Sequence, residues 1–348
     1  MSRRRAMSWK QTLGGVTAVF FSAAALMAWA DSKPAPELLG VPPMGAPKEE
    51  PSAERVELGK KLFFDKRLSR DKTVSCATCH DPAHAFAEPR PVSIGVKGRK
   101  GGRNAPSILN IRIFDAFFWD GRAASLEEQA LGPIENPLEM DLPRKELVKR
   151  LSGLKEYREA FQKAFGGPPT AERAAQAIAD FERTVVAGRS ALDRYLYAGE
   201  KNALSAAAAR GLELFRGKAL CTTCHEIGPE DAGLTDYQFH NIGVGMVAKS
   251  PDLGRHKVTK KEGDQGRFKT PTLRNISKTA PYMHDGSVAT LEAVIDYYDG
   301  GGEKNHWLDP KMKPLELTPQ EKADLVELLK ALDTDIPYAQ RVSSAPAP

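Results

Sequence analysis

The chain has 348 residues, of which 41% are hydrophobic and 27% charged, and a formal net charge of +5; that length predicts two domains. Four of the cations, Arg3, Arg4, Arg5 and Lys10, stand in the first thirty residues, which hold no acid. The remainder is therefore +5 less four, near +1, too even a balance to give a nucleic-acid reading any electrostatic footing.

From the N-terminus, Met1 to Lys10 is basic and Leu13 to Ala28 apolar, ending in Ala28-Trp29-Ala30. This is the pattern of a signal peptide over 1–30, cut after Ala30, with an uncleaved anchor as the alternative. Nothing later in the sequence looks membrane-spanning. Residues 31–51 are proline-rich and read as an extended arm or tether.

Cys76-Ala77-Thr78-Cys79-His80 comes next, and Cys221-Thr222-Thr223-Cys224-His225 repeats it, so that the two runs use all four cysteines. Two thiols separated by two residues can both add to the vinyl groups of one haem, and the following imidazole is then held under the ring as the proximal iron ligand. A zinc site, a redox Cys-x-x-Cys and a pair of disulfides each leave the histidine that follows both times unexplained. Two covalently bound haem c groups are the expected cofactors, with His80 and His225 on the irons. Haem c is attached outside the cytoplasm, in a periplasm-like space, which agrees with the signal peptide; the haem propionates would push the net charge negative.

The elements around the motifs read as helical with long loops, giving a mainly α fold in which the cofactors supply much of the core. Ser125 with Glu128, and Thr318 with Pro319 and Glu321, form capping boxes that start helices. Residues 170–186 have helical composition with Ala174, Ile178, Phe181 and Val185 on one face, closing a first domain, and 187–204 leads into a second. The stretch 231–268 carries eight Lys, Arg and His residues with little periodicity. It reads as loop with a solvated basic surface, a docking patch being the minority alternative. Residues 343–348 form a loose tail.

An internal duplication locates the domains. Leu58-Gly59 to Phe64 precedes the first motif as Arg210-Gly211 to Phe215 precedes the second, and Ser93-Ile94-Gly95-Val96 is answered by Asn241-Ile242-Gly243-Val244. Ala105-Pro106-Ser107 to Ile111 matches Thr270-Pro271-Thr272 to Ile276, and Trp119-Asp120-Gly121 with Leu126-Glu127 matches His284-Asp285-Gly286 with Leu291-Glu292, all at one ungapped offset. The expected division is 52–188 for an N-terminal haem domain and 189–348 for a C-terminal one, both cytochrome c-like.

These motifs, with the run from Phe118 to Ala123, Gln129, Glu139 and Pro271-Thr272-Leu273-Arg274-Asn275, resemble the bacterial di-haem cytochrome c peroxidase family, which includes the maturation enzyme MauG. The resemblance runs from about Glu54 to Leu332. It implies two facing haem domains, peroxide chemistry at the N-terminal haem, Trp119 as the bridge between the haems, and Glu139 and Gln129 as the groups that move the proton of hydrogen peroxide and orient it. It also implies calcium held by the Asn104 side chain and the backbone carbonyls of Thr279 and Pro281; taken alone, Asn104 before Ala-Pro is a turn former.

A haem that only passes electrons needs both axial positions filled, whereas one that handles peroxide needs an open face. The resemblance puts the sixth ligand of the second haem at Tyr298, where family peroxidases usually carry methionine and the maturation enzyme tyrosine. Met283 is the rival, and a structural tyrosine with some other ligand the third choice. The duplication maps Tyr298 onto Pro133, which has no ligating atom. The loop histidine with which ordinary family peroxidases close the first haem is replaced by Val96. His84, nearby, is expected at the surface or in packing rather than on the iron.

The expected activity is a periplasmic di-haem peroxidase that reduces hydrogen peroxide with electrons from a small cytochrome c or cupredoxin. The alternative is a maturation-type oxidase acting on residues of a partner protein. Against the second stands Ala219, where the maturation enzyme carries a surface tryptophan two residues before its second motif.

Overall fold

A computed structural model describes residues 38–43 and 51–336. The signal peptide, most of the proline-rich arm and the C-terminal tail lie outside the described residues. Among the described residues, eleven α-helices and one two-stranded ladder follow in order: α1 (Ala53–Phe64), α2 (Cys76–Cys79), α3 (Leu126–Glu135), α4 (Arg144–Gly153), α5 (Lys155–Phe165), α6 (Ala171–Arg183), α7 (Ala191–Tyr197), α8 (Ala206–Arg216), β1 (Phe239–His240), α9 (His256–Thr259), β2 (Phe268–Lys269), α10 (Leu291–Asp299) and α11 (Pro319–Lys330). No helix among the described residues is long and apolar enough to cross a membrane.

The same helix crossing is built twice. α1 packs on α6 and α8 on α11, and each pair closes on a glycine: a Cβ on Gly59 would overlap the carbonyl oxygen of Ala177, and one on Gly211 that of Asp324. An ion pair flanks each crossing, Arg55 to Asp180 at 2.7 Å and Arg210 to Asp324 at 2.7 Å. Small residues at both crossings let the backbones approach, so the long apolar side chains pack around the crossing rather than between the axes. Gly59→Ala is expected to cost about 1–3 kcal/mol through overpacking. Urea melts of that variant with unchanged midpoint would contradict the packing.

The loops repeat as well. Asn110 and Asn275 both take φ of 55° and both donate Nδ2 to a distant carbonyl, of Ala187 at 2.8 Å and of Thr334 at 2.7 Å. A short antiparallel bridge joins Phe117 to Ala123 and another Tyr282 to Val288, each turning on a glycine at φ of 65°, Gly121 and Gly286. Ser125 caps α3 and Thr290 caps α10. Two apolar clusters follow from this: Leu62, Phe63, Phe86, Ile178 and Phe181 are central to one, Leu212, Phe215, Ile295, Leu325 and Leu328 to the other.

Three local expectations are modified. Glu128 does not close the capping box on Ser125; its Oε2 accepts from the N–H of Ala124 at 2.9 Å instead. Residues 38–43 of the arm are docked: the carbonyl of Leu39 accepts from Arg189 N–H at 2.8 Å, and that of Gly40 from Ala232 N–H at 2.9 Å. The fully buried Arg274 locks the same turn, pairing with Asp193 and donating to the carbonyls of Gly40 and Ala232. Within 231–268, finally, the basic residues are not all solvated. Arg255 donates to the carbonyls of Asp120 (2.9 Å) and Gly121 (2.8 Å), and so caps the turn that follows Trp119.

Candidate active site

Each Cys-x-x-Cys-His run winds into one turn, α2 in the first half and a 3₁₀ turn at Cys221–Thr223 in the second. The closing bond is the same in both: His80 N–H donates to Cys76 C=O at 2.9 Å, and His225 N–H to Cys221 C=O at 2.8 Å. The imidazoles are set alike. Nδ1 of His80 faces the carbonyl of Pro106 at 3.0 Å and that of Phe86 at 3.3 Å, while Nδ1 of His225 faces the carbonyl of Leu234 at 2.8 Å. A carbonyl can only accept, so Nδ1 carries the proton and Nε2 keeps its lone pair for a metal. Burial also lowers the pKa of both imidazoles, favouring the neutral, ligating form.

The four thiols are unpaired by disulfides. Burial pushes Cys79 and Cys221 up to about 12 and Cys76 higher still, with Glu182 adding to the effect on Cys76 and Glu88 to that on Cys79. A redox Cys-x-x-Cys or a zinc site needs thiolates held down in pKa. Cys76, Cys79 and Cys221 are pushed the other way, and a thioether to haem needs no standing thiolate. The donor set fits haem c at both motifs.

The second motif opens on a cavity of about 270 Å³ whose lining includes Cys221, Cys224, His225, Trp119, Met283 and Tyr298. Both rivals for the sixth position therefore face it. Met283 takes φ of 74°, close to the φ of 64° at its counterpart Phe118, so the same turn recurs in both halves. Tyr297 and Tyr298 are adjacent on α10 but differ in use. The hydroxyl of Tyr297 donates to Ile242 C=O at 2.8 Å and accepts from Glu303 N–H at 3.2 Å, whereas that of Tyr298 makes no hydrogen bond among the described residues. Burial raises the Tyr298 phenol above its ordinary range. A ring with a desolvated, unbonded hydroxyl beside a haem-attachment turn is available to a metal.

In the first half, α3 carries Gln129 and Pro133 four residues apart on one face, and Glu139 sits in the turn after it. The Val96 loop is pinned to that turn, because Val96 N–H donates to Glu139 C=O at 2.8 Å and a Cβ on Gly95 would overlap the carbonyl oxygens of Leu138 and Glu139. Val96 itself is fully buried. Oε1 of Glu139 accepts from Asn136 Nδ2 at 2.6 Å, leaving Oε2 without a hydrogen bond among the described residues. Burial raises this carboxyl above the usual carboxylate range, with Asn136 and Arg122 pulling back. Glu139 also acts on Cys76, so the acid and the first motif share one neighbourhood. His84 is at the surface, paired to Asp81 at 3.0 Å.

Trp119 stands where the halves meet. Its Nε1 donates to Asn104 C=O and its own carbonyl accepts from Lys269 N–H, both at 2.8 Å. Asn104 N–H in turn donates to His284 C=O at 2.8 Å, and Asn104, Thr279 and Pro281 line the same cavity as Trp119. Nδ2 of Asn104 is used on the carbonyls of Arg90 (2.8 Å) and Glu88 (3.2 Å), which turns Oδ1 the other way.

Two features were not foreseen. Glu182 on α6 is buried beside Cys76, has Oε2 without a partner among the described residues and is pushed up to about 8 by burial. Its position in an amphipathic helix gives no signal for that. His240 is clamped between Asp309 (2.6 Å) and Asp236 (2.8 Å) next to Cys224. Both its ring nitrogens are thus engaged, and a metal would have to displace an ion pair.

The di-haem cytochrome c peroxidase model matches residues 53–202, and a cytochrome c model matches 208–333. The chain is 42% identical over 294 residues to the methylamine utilization protein MauG of Methylorubrum extorquens, covering 83% of this chain and 81% of that one. It is 41% identical over 287 residues to the cytochrome c551 peroxidase of Nitrosomonas europaea, covering 82% of each. Among solved structures, a MauG-like protein associated with microbial copper homeostasis superposes with a TM-score of 0.77 at 38% identity, covering 84% of this chain and 93% of that one. Two haem-attachment turns with the same closing bond, set in a helical frame whose crossing recurs in both halves and matched by these relatives along most of the chain, make this protein a haem c-carrying member of the di-haem cytochrome c peroxidase family.

Proposed function

We propose that the protein is exported to the periplasm and reduces hydrogen peroxide at the haem of His80, drawing electrons through the haem of His225 from a small cytochrome c or cupredoxin. The two haem domains are 52–188 and 189–348, a division supported by two apolar clusters drawn almost wholly from one half each, Ile336 packing into the first being the exception. The observation that carries the reading is the Val96–Glu139 contact. Where ordinary family peroxidases hold a closing histidine, this chain buries an aliphatic side chain and fastens it to the acid's own backbone.

Haem c held by Cys76, Cys79 and His80, and by Cys221, Cys224 and His225, would supply redox-active iron for the reduction of peroxide. Around it the chain's own groups do the rest. Glu139 takes the proton from the near oxygen of peroxide on Oε2 and returns it to the far oxygen, so that the leaving group departs as water. Asn136, bonded to Oε1, fixes the carboxyl for that transfer. Gln129 orients the peroxide by its amide dipole. Trp119, anchored at its indole N–H and its carbonyl, carries electrons between the halves. Calcium is assigned to Asn104 Oδ1 with the carbonyls of Thr279 and Pro281; so few protein oxygens leave several positions to water and give modest affinity.

Tyr298 favours a second reading, a maturation-type oxidase, because an anionic oxygen donor stabilises higher oxidation levels of iron. Ala219 argues the other way: it is buried in the second apolar cluster, and no tryptophan stands there to pass oxidising equivalents to a protein substrate. Peroxide consumption by the as-isolated ferric protein, with and without reduced cytochrome c, separates the two. Sustained turnover only with the cytochrome is the expected result. A stable oxidised state that reduced cytochrome c does not discharge would favour the maturation reading.

A further inference from the structure

Lys269 is the one buried cation in this region whose charge has no counterpart among the described residues. It stands on β2, where it faces Phe239 across the ladder and donates its N–H to the carbonyl of Trp119. The residue is 9% exposed, and its Nζ lies 3.7 Å from the centroid of the Phe114 ring with no hydrogen bond or ion pair among the described residues. The groups around it are committed elsewhere. His240 on β1 is held by Asp236 and Asp309, Arg255 covers the Phe239 ring and the Asp120 turn, Arg103 pairs with Asp120 and Asp252, and His284 stacks on Phe268. Asp115, which acts on Lys269 from a distance, is exposed.

An ammonium desolvated in an apolar cavity is costly unless an anion meets it there. The ring face of Phe114 offsets part of that cost but not all. Lys269 lines the cavity of Cys221, Cys224 and His225, whereas Cys76, Cys79 and His80 do not line it. We propose that Lys269 is the anion anchor of the second haem, its ammonium pairing with a propionate carboxylate of the haem attached at Cys221 and Cys224. The strand register and the bond to Trp119 hold the ammonium in place, which makes Lys269 a positioning and charge-setting residue. The inference rests on the second motif carrying haem c.

Spectroelectrochemical titration of the holoprotein, with the two haems resolved, tests it in two ways. In the wild type, burial alone would bring Lys269 down to about 7 and put a break in the second haem's midpoint potential at that pH; pairing keeps the ammonium charged, so no break is expected across neutral pH. In Lys269→Met, the unneutralised carboxylate favours the ferric form. The second haem's reduction equilibrium should then fall about tenfold, about 59 mV for one electron, with the first haem unmoved. Lys269→Arg should restore most of the shift. A break near neutral pH in the wild type, an unshifted potential in Lys269→Met, or a shift confined to the first haem would each overturn the proposal. The wild-type titration decides even where the methionine variant does not fold. A protein with one haem by absorbance and mass would instead overturn the reading of the second motif.

Discussion

Glu139→Gln is expected to leave both haems attached and yet slow the reaction with peroxide by roughly 10²-fold or more, the scale on which enzymes lose a general acid–base group. Glutamine keeps the shape and can still accept from Asn136 Nδ2 through its side-chain oxygen, so the Val96–Glu139 backbone contact survives. What it cannot do is take a proton. The pH profile supplies an independent check. Burial raises the Glu139 carboxyl, so the charged form that accepts a proton is populated only above the ordinary carboxylate range, and the wild-type rate should rise with pH through that region. The variant should lose this acid limb. Stopped-flow spectra at several pH values measure both effects, and wild-type kinetics in the variant would leave Glu139 as a buried turn acid with no part in the reaction.

The second large effect is at Tyr298. Tyr298→Phe should turn the second haem high-spin or let it recruit water, because a phenyl ring cannot coordinate. Tyr298→Met should keep it low-spin and raise its potential, since neutral sulfur stabilises the ferrous state relative to phenolate. The two rivals separate cleanly here. If Met283 held the iron, both variants would keep wild-type low-spin spectra and potentials. Retained or increased donor-driven turnover in Tyr298→Met would favour the reductase reading, and loss of a long-lived oxidised state would favour the maturation one.

Much of this molecule was legible before any coordinate. The haem turns are local, five residues each, and covalent chemistry fixes their spacing, so the sequence carries them whole. The duplication is legible for a similar reason: Gly59 and Gly211, Asn110 and Asn275, Gly121 and Gly286 are backbone-determined positions, where a close crossing or a positive φ restricts the choice of residue. Thr170 before an apolar-periodic helix states α6 with its cap. What stayed hidden is set by partners far away in the chain. Nothing near Gly40 announces that Arg274 and Asp193 will clamp it. Nothing near Arg255 says that it caps the Trp119 turn, and the basic composition around it pointed to solvent instead. Glu182 and Lys269 were invisible because burial of a single charged residue is decided by tertiary packing, which periodicity does not record. The role of Glu139 lies between these cases. Its environment, a desolvated acid bonded to Asn136 next to the first motif, is structural, while its position ten residues after Gln129 is written in the sequence.

The central claim is that the first haem keeps an open face while the second is closed by a protein ligand. Ferric EPR of the as-isolated protein tests this most directly. One high-spin signal, from the haem of His80, and one low-spin signal, from the haem of His225, are the expected result; two low-spin haems with no high-spin component would mean that some side chain closes the first iron after all, and would contradict the account built on Val96 and Pro133.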